Sequence, residues 1–121
     1  MFKPQKFITI LFVGEQGVGK TSIVRQFEKK EFKKNEGITD GALHSHTNLK
    51  FSNDKSINLT NIDVSGNKDS ISLFYHNIVK SSAVVLVYDV GRKNTFEQLK
   101  YWINQVKEKI SKETIVAIVG N

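Results

Sequence analysis

The run Phe7-Ile-Thr-Ile-Leu-Phe-Val13, followed by Gly14-Glu-Gln-Gly-Val-Gly19-Lys20-Thr21, decides the fold. The first part is short, apolar and rich in β-formers, as a strand buried on both faces should be. The second fits the pattern G-x-x-x-x-G-K-[ST]. With glycine near 7% of average usage, a chain of this length would contain it by accident on the order of 0.4% of the time, so the match is specific. Its placement, after a strand and at the opening of a helix, argues against a mere surface turn with a stray lysine. The residue types suit a polyphosphate. Glycines let backbone N–H groups approach anionic oxygens with no Cβ in the way. The helix start adds unpaired N–H groups and the positive end of its dipole. Lys20 supplies an ammonium and Thr21 a hydroxyl able to hold Mg²⁺.

Working outward, residues 21–30 read as a helix with Ile23, Val24 and Phe27 on one side. Residues 32–43 have weak periodicity and read as a loop. Residues 44–51 and 56–62 alternate around the polar cluster Ser52-Asn-Asp-Lys55 and predict a hairpin. A loop from Asp63 leads to a weakly helical stretch, 71–80. Ala83-Val-Val-Leu-Val-Tyr-Asp89 is the clearest buried strand. After a turn at residues 91–94, Thr95 and Gln98 fit a capping box. Phe96, Leu99, Ile103, Val106 and Ile110 then form a helical apolar stripe. Ile115-Val-Ala-Ile-Val119 reads as a further buried strand. The order β-α-β-β-α-β-α-β predicts an α/β fold: an open, mostly parallel sheet with helices on both faces and one antiparallel edge hairpin.

The 121 residues suit a single domain, 1–121. There is no Cys, which excludes a disulfide framework and a thiolate zinc site. No apolar run approaches the roughly 20 residues of a membrane-spanning helix. The net charge is +6, with Lys29, Lys30, Lys33 and Lys34 clustered. A solvated helix end explains that cluster, and an acidic partner or membrane surface is the alternative. No nucleic-acid partner is expected, because no aromatic residues interleave with the basic ones. His44 and His46 face one side of a strand with no third ligand nearby, so an exposed pair is expected rather than a metal site. His76 reads as a helix surface residue, Trp102 as core packing, and Asp89 as a strand-end structural residue.

A second motif, Asp63-Val-Ser-Gly66, lies at the end of a predicted strand, where ligands of open α/β sheets gather. Asp63 can hold Mg²⁺ there, directly or through water, and the Gly66 N–H can meet the terminal phosphate. Alone, D-x-x-G is a weak four-residue pattern. Its weight comes from following the glycine loop by one α-β-β unit.

With Gly14–Ser22, Asp63–Gly66, Val87-Tyr-Asp-Val90, Phe96, Trp102 and Val119-Gly-Asn121 in hand, the chain resembles the Ras superfamily of small GTPases, and its Rab branch in particular. The resemblance implies a P-loop NTPase fold and a GTP/GDP switch that uses Mg²⁺. It assigns nucleotide contacts to Glu15, Gln16, Gly17, Val18, Gly19, Lys20, Thr21, Ser22, Thr39, Gly66 and Asn121. It assigns metal contacts to Thr21, Thr39 and Asp63, and catalytic roles to Lys20 and Asn67. Thr39 is placed by counting from Lys20, and an ordinary loop threonine is an equal alternative. Residues 32–43 and 66–80 correspond to the two switches, where effectors, exchange factors and GTPase-activating proteins would bind. The family further implies a monomer in the cytoplasm, working in vesicle trafficking. It would be peripheral on endomembranes only through a lipidated tail that this sequence does not contain.

Three departures bear on function. Asn67 stands where the family usually has a Gln that orients the attacking water. Its amide sits one methylene short, and a shift of about 1 Å can cost on the order of 100-fold, so slow hydrolysis is expected. Ile62 replaces the usual Rab Trp. Asn121 would open N-K-x-D, but the guanine-pairing Asp, the last strand and the last helix do not follow. A fragment or a shortened natural chain would both fit that, and without a following strand Ile115–Val119 is expected to be an exposed edge. Two other functions compete with a working switch. One is a pseudo-GTPase or nucleotide-binding interaction module without catalysis. The other is a P-loop ATPase or nucleoside kinase, disfavoured by the early D-x-x-G and by the absence of an Arg-rich lid.

Overall fold

The computed structural model describes residues 6–28, 42–52 and 54–121. Thr39, the lysine cluster from Lys29 to Lys34 and most of the expected first switch lie outside them. The elements are β1 (Lys6–Val13), α1 (Lys20–Phe27), β2 (Ala42–Ser52), β3 (Lys55–Val64), a 3₁₀ turn (Lys68–Ser70), α2 (Ile71–Ile78), β4 (Ala83–Tyr88), α3 (Lys93–Lys109) and β5 (Ile115–Gly120). The five strands form one sheet in the order β2-β3-β1-β4-β5. Only β2–β3 is antiparallel; β1 runs parallel to β3 and β4, and β4 to β5. The α/β architecture with a mostly parallel sheet and one edge hairpin is therefore as expected.

Strand parity divides the core. Successive side chains of a strand point to opposite faces. Leu11, Val13, Ile62, Val64, Val84 and Leu86 meet α2 and α3 through Phe74, Ile78, Leu99, Trp102 and Val106. The neighbouring positions Phe12 and Val87 face the other way and pack with Val18 and with Val24 of α1. Helices thus cover both faces. Trp102, 1% exposed, anchors the larger cluster with its ring edge-on to Phe74 and Tyr101. Truncating such a side chain to Ala typically costs about 3–5 kcal/mol.

Several boundaries move, each for a physical reason. β2 and β3 are longer than their side-chain alternation predicts. Backbone pairing continues through Asp63, which lies opposite Leu43 on one side and Phe12 on the other, to Val64 opposite Ala42. The D-x-x-G motif therefore begins inside a strand. The second helix ends at Ile78 and is preceded by the 3₁₀ turn.

The capping box at Thr95 is not formed. Helix α3 begins two residues earlier, with Arg92 at the N-cap and no side-chain cap. Thr95 is 1% exposed, and its hydroxyl lies 2.7 Å from the Arg92 carbonyl and accepts from the Asp89 N–H at 2.9 Å. Burial makes satisfying that loop worth more than capping an exposed helix start. Gln98 instead accepts from the Lys68 ammonium at 2.7 Å. The buried face of α3 is consequently Thr95, Leu99, Trp102 and Val106. Phe96, expected in the stripe, is 56% exposed, with its ring edge-on to that of Tyr88 at the end of β4.

β5 shows the exposed edge expected at Ile115–Val119 rather than the burial its apolar run alone suggests. It is the edge of the sheet, and among the described residues Ile115, Val116 and Ile118 are exposed. At the opposite edge, His44 and His46 are exposed on β2, and His46 Nδ1 lies 3.2 Å from Thr60 Oγ1. No cluster of three metal-ligating side chains occurs among the described residues, nor a helix long and apolar enough to cross a membrane.

Candidate functional site

The glycine loop joins the carboxyl end of β1 to the first turn of α1. Gly19 is its last residue and the N-cap of α1, at φ +97°. An L side chain there would be strained, and its Cβ would stand 2.2 Å from Asn121 Nδ2. The left-handed backbone is what calls for glycine, since the Asn121 side-chain tip could swing aside. No side chain caps the helix start.

Lys20 folds back beneath that loop. It is 5% exposed and donates to the Gly14 carbonyl at 3.0 Å and the Glu15 carbonyl at 2.9 Å. An ammonium has a third N–H beyond these two. Burial holds its pKa below the ordinary lysine value, and the charges of Asp63 and Glu15 partly offset that.

Next to it, the Thr21 hydroxyl donates to the Asp63 carboxylate. Two residues 42 positions apart in sequence are thus joined across α1 and β3. Asp63 is 2% exposed. A hydroxyl and a carboxylate side by side are hard oxygen donors, the set that Mg²⁺ takes, with waters and phosphate oxygens completing its shell. The residues present fit that ion.

The D-x-x-G motif closes over the loop from the other side. A Cβ on Gly66 would lie 2.4 Å from the Gln16 nitrogen, 2.5 Å from the Glu15 carbonyl carbon and 2.6 Å from the Gly14 oxygen. Gly66 therefore rests directly on the backbone of residues 14–16. Asn67, to which the resemblance gives the attacking water, caps the 3₁₀ turn: its side-chain oxygen accepts from the Asp69 N–H at 3.0 Å. Its own N–H donates to Ser65 Oγ at 3.2 Å.

Asn121 reaches the loop as well. Its backbone pairs with Tyr88 and Val90, and its Nδ2 donates to the Val18 carbonyl at 2.9 Å. Of the predicted site residues, Glu15, Gln16, Gly17, Val18, Gly19, Lys20, Thr21, Gly66 and Asn121 gather at one end of the sheet, with Asp63 beside them. Ser22 is half-buried in the first turn of α1. Thr39 is outside the described residues.

Two residues of the site escaped the sequence. The Trp102 indole, read as packing alone, donates to Glu15 Oε1 at 3.2 Å. A fully buried indole N–H needs an acceptor, which was the available signal. Arg92 Nη2 donates to the Gln16 carbonyl at 3.0 Å, and its Nε pairs with Asp89 at 3.1 Å. No local pattern announces a contact spanning 76 positions.

A family model described as Ras of Complex, Roc, domain of DAPkinase matches residues 9–121. The match runs from the middle of β1 through the phosphate loop, the Thr21–Asp63 pair and Asn121. The chain belongs to this Roc family, whose members are Ras-like GTPase domains that bind guanine nucleotide.

Proposed function

We propose that this chain is a guanine-nucleotide switch with slow intrinsic hydrolysis. The observation that carries the reading is the meeting of Thr21 and Asp63 beside buried Lys20. It brings a hydroxyl, a carboxylate and an ammonium to one helix start, a combination suited to a magnesium-bound polyphosphate and to little else. Loop amides and Lys20 bind the phosphates, while Thr21 and Asp63 hold the metal. When bound, Mg²⁺ neutralises charge on the terminal phosphates. Asn67 follows the D-x-x-G glycine, but its amide oxygen is engaged by Asp69 and its side chain is short. Both features favour a slow step.

The same engagement favours the second reading, a nucleotide-holding module without catalysis. Partner contacts fall to residues 32–43 and 66–80, which both follow the loop in sequence and would respond to the terminal phosphate. A cytoplasmic setting goes with this proposal. The narrower Rab-like role in vesicle trafficking rests on Val87–Val90, Phe96 and Trp102 alone, and the Roc match lends it no support.

Single-turnover hydrolysis of GTP tests the catalytic part. The unsubstituted chain is expected to hydrolyse slowly, and Asn67→Gln to be faster, on the order of 10-fold or more. An unchanged or lower rate in Asn67→Gln contradicts the role given to Asn67. No turnover in either chain favours the module without catalysis.

A further inference from the structure

Arg92 serves α3 only as a backbone N-cap; its side chain does something else. It crosses to the glycine loop and donates from Nη2 to the Gln16 carbonyl, while Asp89 holds its Nε. Asp89 is itself fixed, since its other carboxylate oxygen accepts from the Gly91 N–H at 2.8 Å. The guanidinium lies over Gly17: a Cβ built there would be 3.5 Å from Nη2 and 4.0 Å from Nη1.

A peptide unit is planar, and in the trans form its C=O and N–H point in opposite directions. All described peptides are trans. Holding the Gln16 carbonyl toward Arg92 therefore turns the Gly17 N–H away from it. The peptide between Gln16 and Gly17 is a soft joint of the loop. Glycine accepts either sign of φ at little cost, so this plane can flip without an outside restraint.

We propose that Arg92, aligned by Asp89, is a positioning residue of the phosphate loop. It locks the Gln16–Gly17 peptide so that the Gly17 N–H is presented to a nucleoside di- or triphosphate. This deepens, and rests on, the nucleotide-switch reading.

The test is calorimetry of GDP with Mg²⁺, together with the NMR response of the Gly17 and Gly19 amides, for the unsubstituted chain, Arg92→Ala and Asp89→Asn. Arg92 is partly exposed, so Arg92→Ala is expected to keep its nucleotide-free melting temperature. The loss of one charge-assisted hydrogen bond raises Kd about 10-fold. The shift of the Gly17 amide on GDP addition shrinks, while that of Gly19 stays. Asp89→Asn keeps the acceptor for Gly91 and moves both readouts the same way by less. It also serves as the test if Arg92→Ala does not fold. A Kd within twofold of the unsubstituted chain, or a weakened Kd with the Gly17 response intact, overturns the proposal and leaves the switch reading standing. Failure of the unsubstituted chain to bind GDP overturns both.

Discussion

At the scale of single residues, Lys20 keeps its ammonium where water reaches only 5% of the residue, and burial lowers its pKa below the ordinary value of 10.5. Between the lowered folded value and 10.5, the unfolded chain holds more protons than the folded one. Stability therefore rises as pH rises through that window, and below it the cost of the buried charge is fully present. Tyr101 acts in the opposite sense, because burial, with Tyr75 and Glu15, raises its pKa above 10.0. A comparison with Lys20→Met cancels Tyr101, which both chains keep. Without nucleotide, the melting temperature of the unsubstituted chain is expected to gain on that of Lys20→Met as pH climbs toward 10.5. Parallel curves contradict a buried, strained ammonium. The placement of Lys20 at the start of α1, beneath the loop, was legible because its motif is local. The engagement of Asn67 by Asp69 was not, since a residue type alone does not say which neighbour its amide meets.

At the scale of elements, the D-x-x-G segment is welded to the loop by shape. Gly66 has backbone atoms of three loop residues within 2.6 Å of where a Cβ would go, and backbone cannot swing aside as a side-chain tip can. Gly66→Ala is expected to push the segment off the loop, destabilising the chain by about 1–3 kcal/mol in denaturant titration and weakening GTP binding more than GDP binding. Equal stability and equal affinities would contradict a load shared between the two elements. Element identities were readable from periodicity, since β1 and β4 are continuous apolar runs. Their ends were not. Asp63 stays in β3 because ladders on both sides hold it, and Thr95 lies inside α3 because a buried hydroxyl found its partners in Asp89, just after β4, and in the Arg92 carbonyl.

At the scale of the whole molecule, alternating parity sends Leu11 and Val13 to one helical layer and Phe12 to the other. That division places β1 at the centre of the sheet, and with it the loop that β1 delivers. Three distant pieces converge there: Gly66 from beyond β3, Arg92 at the start of α3 and Asn121 after β5. The sheet and the core of the site were legible from order and spacing. The clamps were not, because each joins residues that only the fold brings together. The run Ile115–Val119 reads the same at an edge as at the centre, and only the strand order tells the two apart.

The central claim is that this end of the sheet neutralises a nucleotide polyphosphate. Titrating GDP, GTP and ATP, each with Mg²⁺, into the folded chain by calorimetry tests it most directly, with Lys20→Ala as the control. Uptake of GDP and GTP that Lys20→Ala abolishes is expected. Well-folded chain that takes up none of the three, or binds them equally well without the Lys20 ammonium, would contradict it.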